Sequence, residues 1–288
     1  MKFSVFTVST PEYGPEDTLK LLKEIGYNGV EWRVNNPPPD QKPDNYTFEG
    51  RYWSYNLSNI DIDKVVESAE EVKGLCKKYN IEICSLTTYL RPADVWDIEK
   101  VLKAADIMGC RNIRVMPPNY NEKENYRVLF DRTVNQVKVL EELASRYGVR
   151  INFETHMGNM IPSASAAYRF VSNFNPDYIG VIYDPGNMVY EGFENYRMGI
   201  ELLGEYLAHV HLKNAVWKLN RVTEDGVDIW KPQPAPCRKG FADLKKLIGV
   251  LQDAGYNGYV SVEDFSNEKD TYTKLKENLE FLRLASTR

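Results

Sequence analysis

The sequence contains only three histidines and four cysteines among its 288 residues, and it has no excess of positive charge. Each scarcity removes a class of function. Cys76, Cys84, Cys110 and Cys237 show neither a CxxC pair nor metal-ligand spacing, so they read as small buried side chains in a reducing cytoplasm. A net charge of −5 gives no reason to expect a nucleic-acid partner, which usually demands a basic face. No apolar run approaches the ~20 residues that span a bilayer, so no membrane partner is expected. The N-terminus reads Met-Lys-Phe-Ser-Val-Phe-Thr-Val and turns polar at Ser9-Thr10-Pro11-Glu12, which lacks the longer apolar core of a secretory leader. These first residues suit a first strand. No Gly-x-Gly-x-x-Gly follows it, which counts against a doubly wound dinucleotide-binding sheet.

What is present is a rhythm. Short β-rich runs alternate with stretches whose apolar residues recur at helical spacing. Strands are expected at 3–8, 30–32, 81–86, 113–116, 150–154, 178–184, 208–212 and 259–263. Helices are expected at 16–25, 61–79, 95–108, 126–147, 164–174, 196–203, 241–254 and 272–284. Gly26-Tyr27-Asn28-Gly29 and Gly255-Tyr256-Asn257-Gly258 are near copies that place glycine at a helix C-cap. Eight such units predict one (β/α)₈ TIM barrel domain over residues 1–288. Long loops at 35–59 and 215–239 leave the C-terminal ends of strands, the face on which barrels do their chemistry.

All three histidines fall on that face. The fifth strand ends Asn152-Phe153-Glu154-Thr155-His156, and side chains alternate along a strand, so Glu154 and His156 share the side opposite Phe153. The sixth ends Tyr183-Asp184-Pro185-Gly186-Asn187. The seventh is His209-Val210-His211-Leu212-Lys213, whose inward set is His209, His211 and Lys213. The eighth delivers Glu263. Glu154, Asp184, His211 and Glu263 thus sit at equivalent heights on consecutive strands. Three carboxylates and one imidazole suit one divalent metal ion, manganese first, with magnesium, cobalt or zinc as alternatives. Taken singly, each carboxylate has a plainer role as the cap of the next helix.

Phe-Glu-Thr-His, Tyr-Asp-Pro-Gly-Asn, His-Val-His-Leu-Lys-Asn and Val-Ser-Val-Glu, with Gly26-Tyr27-Asn28-Gly29-Val30-Glu31, together resemble a known superfamily. It is that of the sugar-phosphate isomerases and epimerases with a xylose isomerase-like barrel. The resemblance covers nearly the whole chain. It implies that Glu154, Asp184, His211 and Glu263 are metal ligands, and that Glu154 and Glu263 are also the acid/base pair. The chemistry is coherent. Proton abstraction next to a carbonyl gives an enediolate that a metal stabilises, with a carboxylate on each face to remove and return the proton.

The chain departs from the ketose 3-epimerases of that superfamily at three positions. Met160 stands where they resemble one another in having glutamate, Trp217 where they have arginine, and Asn187 where they have histidine. Endonuclease IV, another member, builds a three-metal cluster from more histidines than this chain owns, so a DNA-repair role is not expected. His156, Asn187, Lys213, Arg114 and Trp217 are the candidate substrate contacts. Tyr46, Phe48, Tyr52, Trp53, Tyr55, Trp217 and Trp230 in the two loops could stack on sugar faces or pack on the rim. The expected function is a metal-dependent isomerase or epimerase of a small carbohydrate. The alternatives are a lyase or dehydratase acting on a keto-sugar, keto-inositol or keto-glycoside, and a non-catalytic sugar-binding barrel. A homo-oligomer is left open.

Overall fold

Residues 1–287 are described in a computed structural model. The chain begins β1 (Lys2–Phe6), α1 (Pro15–Ile25) and β2 (Gly29–Asn35), then enters the first insertion, with a short helix α2 (Arg51–Ser54) and strand β3 (Ile60–Asp61). Next come α3 (Ala69–Tyr79), β4 (Glu82–Thr87), α4 (Val95–Met108), β5 (Asn112–Arg114) and α5 (Tyr126–Tyr147). They are followed by β6 (Arg150–Glu154), α6 (Ala164–Val171), β7 (Ile179–Tyr183), α7 (Pro185–Tyr190), α8 (Tyr196–Leu203) and β8 (Leu207–Leu212). A hairpin of β9 (Asn214–Val222) and β10 (Asp228–Ala235) precedes α9 (Leu244–Asp253), β11 (Tyr259–Val262) and α10 (Thr271–Ser286).

Strand β1 pairs in parallel with both β2 and β11, which closes the ring β1-β2-β4-β5-β6-β7-β8-β11. This is the expected eight-stranded α/β barrel, a xylose isomerase-like TIM barrel with helices outside. Strand periodicity sorts the side chains. Val30, Trp32, Phe153, Val181, Val210 and Val262 face outward and join one core with Leu19, Leu22, Ile98, Leu102, Val137 and Leu140 of the surrounding helices. The opposite parity faces inward and is polar: Ser4, Glu31, Ser85, Asn152, His209, His211 and Ser261 are all buried. A barrel interior is ordinarily filled by bulky branched residues. Here it is a stack of polar groups leading up to the mouth.

The expected cap at Gly26 is present: its φ of 99° is left-handed and its N–H returns to the Leu22 carbonyl. At the other copy, Ala254 caps α9 and Gly255 follows with φ of 72°. Two expectations need correction. The helix expected over 61–79 starts only at Ala69, because the Asp61 side chain accepts from the Asp63 N–H and sets a short 3₁₀ turn instead. The segment 215–239 is not an irregular loop. Residues 215–235 of it form the antiparallel β9–β10 hairpin, turned at the Asp225-Gly226 pair. Among the described residues no helix is long and apolar enough to cross a membrane.

Candidate metal centre

The C-terminal ends of β6, β7, β8 and β11 deliver Glu154, Asp184, His211 and Glu263 to one buried point. One ligand atom from each lies within 4.8 Å of all the others. His211 Nδ1 is the focus: it stands 3.0 Å from Glu154 Oε1, 3.6 Å from Asp184 Oδ2 and 3.7 Å from Glu263 Oε2. Asp184 also plays the plainer part, since its Oδ1 caps α7 by accepting from the Asn187 N–H at 2.8 Å. Gly186 makes this convergence feasible. A Cβ there would lie 2.5 Å from Lys213 Cγ and 2.8 Å from its carbonyl carbon, so only glycine lets α7 pass so close to β8.

The donor set fits a divalent ion. Three carboxylates and an imidazole nitrogen within one coordination radius, buried at the floor of the barrel mouth, match oxygen-preferring divalent chemistry. The imidazole is oriented for it. His211 Nε2 faces Glu31 Oε1 at 3.1 Å, and His209 Nε2 faces the other oxygen, Oε2, at 2.9 Å. The Thr87 hydroxyl donates to Glu31 Oε1 as well. With Nε2–H held by Glu31, Nδ1 is the nitrogen turned to the carboxylates, and once its proton is displaced its lone pair would be available to an ion in a carboxylate–histidine–metal arrangement.

Glu31 is the residue that sequence reasoning passed over. The signal was a charged side chain in the middle of the apolar run Val30-Glu31-Trp32, on the inward parity. Glu31→Gln keeps the shape but removes the charge that orients both histidines. Metal affinity should fall ~10–100-fold, read as the chelator concentration that strips half the ion. A variant that holds the ion as tightly as wild type would refute the orienting role.

The other expected site residues fall into distinct places. Arg114 is buried, ion-paired to Glu154 Oε2 and sandwiched with Phe6 and Tyr89, and its Nη2 has no partner although the residue lines the cavity. Lys213 donates to Glu263 Oε2 at 2.8 Å and lies 3.6 Å from Asp184 Oδ2. Asn187 lies behind the carboxylates, its Nδ2 donating to Asp184, Glu154 and the Thr155 carbonyl. His156 lines the cavity with Nδ1 against the Met157 carbonyl at 2.7 Å, so Nε2 is the nitrogen left for a ligand. Trp217 stands apart: its indole N–H donates to the Val189 carbonyl, and its neighbour Lys218 lines the cavity instead.

Electrostatics follow from this packing. Burial would raise Glu154, but the Arg114 guanidinium and His211 outweigh it and hold the carboxyl well below the usual range. Burial pushes Asp184 up to about 6, against the pull of Lys213 and His211. Burial alone would lower His211, yet Glu31 and Glu154 raise it well above the ordinary histidine value. A metal ion must therefore displace the Nδ1 proton of His211 at neutral pH, and below about 6 a second proton from Asp184 as well. As pH falls, affinity should drop about tenfold per unit above that point and about a hundredfold per unit well below it. Calorimetry in buffers of different ionisation enthalpy counts the released protons. Affinity that is flat from pH 5 to 8 would contradict these proton assignments.

Above the carboxylates opens a cavity of about 630 Å³. Of the loop aromatics, Tyr52 and Trp53 line it, joined by Tyr89, Tyr190 and Phe265, whereas Tyr46, Phe48, Tyr55, Trp217 and Trp230 do not. The first insertion thus builds one wall, and the hairpin adds Lys218, Gln233 and Pro234 on the other.

Comparison with known proteins identifies the family of the barrel. The model of a family described as xylose isomerase-like TIM barrel matches residues 19–285. The inosose dehydratase of Bacillus licheniformis is 24% identical over 273 residues, covering 88% of this chain and 83% of the relative. A crystal structure of 3-keto-D-glucoside 4-epimerase from E. coli superposes with a TM-score of 0.70 at 19% identity, over 99% of each chain. An IOLI protein carrying a zinc atom superposes with a TM-score of 0.67 at 18% identity, over 99% of this chain and 96% of that one.

Proposed function

The chain belongs to the xylose isomerase-like TIM barrel family, and from that premise we propose that it is a divalent-metal-dependent isomerase or epimerase of a sugar or sugar derivative. The observation that carries this reading is the pair Glu154 and Glu263. They come from strands three apart in the ring, reach the same buried point and both line the cavity. A ligand seated there meets a carboxylate from each side.

An ion held by Glu154, Asp184, His211 and Glu263 would supply positive charge to two adjacent oxygens of a hydroxy-ketone, stabilising the charge that builds as the neighbouring C–H ionises. The protein groups divide the remaining work. Glu263 uses only Oε2, for Lys213, and its Oε1 accepts no hydrogen bond, so it is the carboxylate placed to take the proton. Glu154 has both oxygens engaged, Oε2 by Arg114 and Oε1 by His211 and Asn187. It is the more firmly held anion and serves the opposite face. The unpartnered Nη2 of Arg114 and the free Nε2 of His156 supply polar contacts for substrate oxygens.

A second reading, a dehydratase, has its own support. Inosose dehydratases are among the relatives matched over most of the chain. Met160, Asn187 and Trp217 replace residues that the ketose 3-epimerases share. Both reactions start from the same proton abstraction and differ in whether a β-hydroxyl leaves. One experiment addresses both. Protein prepared without chelator should carry about one divalent ion per chain by elemental analysis, with manganese proposed first. Incubated in D₂O with ketoses, keto-inositols and keto-glycosides, it should give deuterium at an inverted carbon if an epimerase, or an enone absorbance if a lyase. Absence of metal, or of any exchange and elimination across these substrates, refutes the reading and leaves the barrel a binding protein.

A further inference from the structure

The cavity is larger than one sugar ring requires. A hexose has about a dozen heavy atoms, and even at the ~30 Å³ that a water molecule occupies in the liquid it takes up roughly 360 Å³. The cavity measures about 630 Å³. Its lining also divides by chemistry. The floor is charged, with Arg114, Glu154, Lys213 and Glu263. Aromatic rings rise beside it: Tyr89 after β4 and Phe265 after β11, each 4.9 Å from a floor cation (Arg114 and Lys213), and Trp53 of α2, which packs on both rings.

Trp53 is the informative residue. Its ring lies 5.2 Å from Phe265 and 6.1 Å from Tyr89, yet it stays 54% exposed inside a lined cavity, so about half of its surface is open to a ligand. The other side is fixed. The buried Arg33 guanidinium stands 5.8 Å over Trp53 and 5.2 Å over Tyr89, and it is itself tied to Asn59 at 2.8 Å and to the Tyr89 hydroxyl at 3.3 Å. Rings held from behind lose little freedom on binding, and such faces stack on the C–H faces of sugars or on aryl rings. Polar groups ring this platform: Asn267 and Glu268 from the loop after β11, Lys218 and Gln233 from the hairpin.

We propose that the Trp53–Phe265 wall is a second subsite and that the natural ligand is a glycoside. Its keto-sugar ring sits over the carboxylates, and a glycosidic bond joins it to a second ring stacked on Trp53. The polar rim favours a sugar as that outer ring. The proposal rests on the reading of the inner site as a sugar site.

The test is binding, followed by tryptophan fluorescence and calorimetry on the metal-loaded protein. The one-ring probes are D-glucose and D-fructose; the two-ring probes are cellobiose, lactulose and phenyl β-D-glucoside. At least one two-ring probe should bind about tenfold tighter than its one-ring counterpart, a difference of about 1.4 kcal/mol. Trp53→Ala should bring that ratio down towards unity. Phe265→Leu, which keeps apolar volume, should lower it in the same direction and stands in if the alanine variant melts early. Cellobiose and lactulose against phenyl β-D-glucoside separate a sugar from an aryl outer ring. A ratio near unity in the wild type, or one that both substitutions leave unchanged, overturns the subsite. Failure of every probe also overturns it, while the deuterium-exchange experiment continues to judge the inner site separately.

Discussion

Replacing Glu154 or Glu263 by glutamine should each lower turnover by ~10²–10⁴-fold, the usual loss for a positioned acid/base group, with the keto-substrate still bound. Glutamine keeps an oxygen that can touch an ion but cannot accept the proton. The two variants should differ in a second respect. Glu154 accepts from Arg114, His211 and Asn187. An amide NH₂ in place of either oxygen would oppose one of those donors, so Glu154→Gln should also loosen the metal. Glu263 meets a single donor, Lys213, through Oε2, and the amide can turn its nitrogen to the other side. Glu263→Gln should retain metal close to wild type. In D₂O, each variant should still exchange the proton on the face served by its surviving carboxylate, without inverting the centre. If both variants keep more than about a tenth of wild-type activity, the two-carboxylate mechanism is wrong for this protein.

The parts of this site visible in the sequence are those governed by strand periodicity. Alternation along 150–154 and 207–212 places Glu154 and His211 inward from the letters alone, and the structure puts them there. The convergence of the four candidate ligands on one point is expected from matched positions at the ends of consecutive strands, and the barrel brings one ligand atom of each within 4.8 Å of the others; what the letters do not carry is contact between distant strands. Glu31 illustrates the difference. Its strand and parity were readable, but its partners His209 and His211 lie 178 and 180 residues away, and nothing local announces that pairing. The loop aromatics were harder still. Composition named seven candidates, yet only Tyr52 and Trp53 line the cavity, because α2 and the buried Arg33 and Arg51 decide which rings turn inward. Tyr89 and Phe265 escaped notice because they follow barrel strands directly rather than sitting in a long insertion. The hairpin was overlooked for a different reason: its second strand, β10, runs through Pro232 and Pro234, which ordinarily count against a strand, but an isolated two-stranded ribbon tolerates them at its edge.

Lys213→Met should destabilise the metal-free protein by about 3 kcal/mol, the lower end of what losing one partner of a buried ion pair costs. For a chain of this size that lowers the melting temperature by roughly 6–12 °C. Three carboxylates, those of Glu154, Asp184 and Glu263, crowd one buried point, and three cationic groups answer them: Arg114, His211 and Lys213. Burial would lower the lysine, but Glu263 and Asp184 outweigh it and raise its pKa above the ordinary value, so the ammonium stays charged at any working pH. Methionine fills the same volume and leaves Glu263 and Asp184 facing each other without that charge. Part of the cost is relieved by protonation of Asp184, which burial already pushes up to about 6, so the deficit should grow as pH rises from 6 to 8. A divalent ion replaces the missing charge. Saturating metal should therefore restore most of the lost stability, and the variant should bind the ion at least as tightly as wild type because no ammonium competes for Glu263. Turnover should still suffer, since Lys213 alone orients Glu263. Thermal unfolding with chelator and with added metal decides the matter. A chelated variant that melts with the wild type would show that the lysine does not balance the carboxylates. A deficit that metal leaves untouched would show that it acts on packing and not on charge.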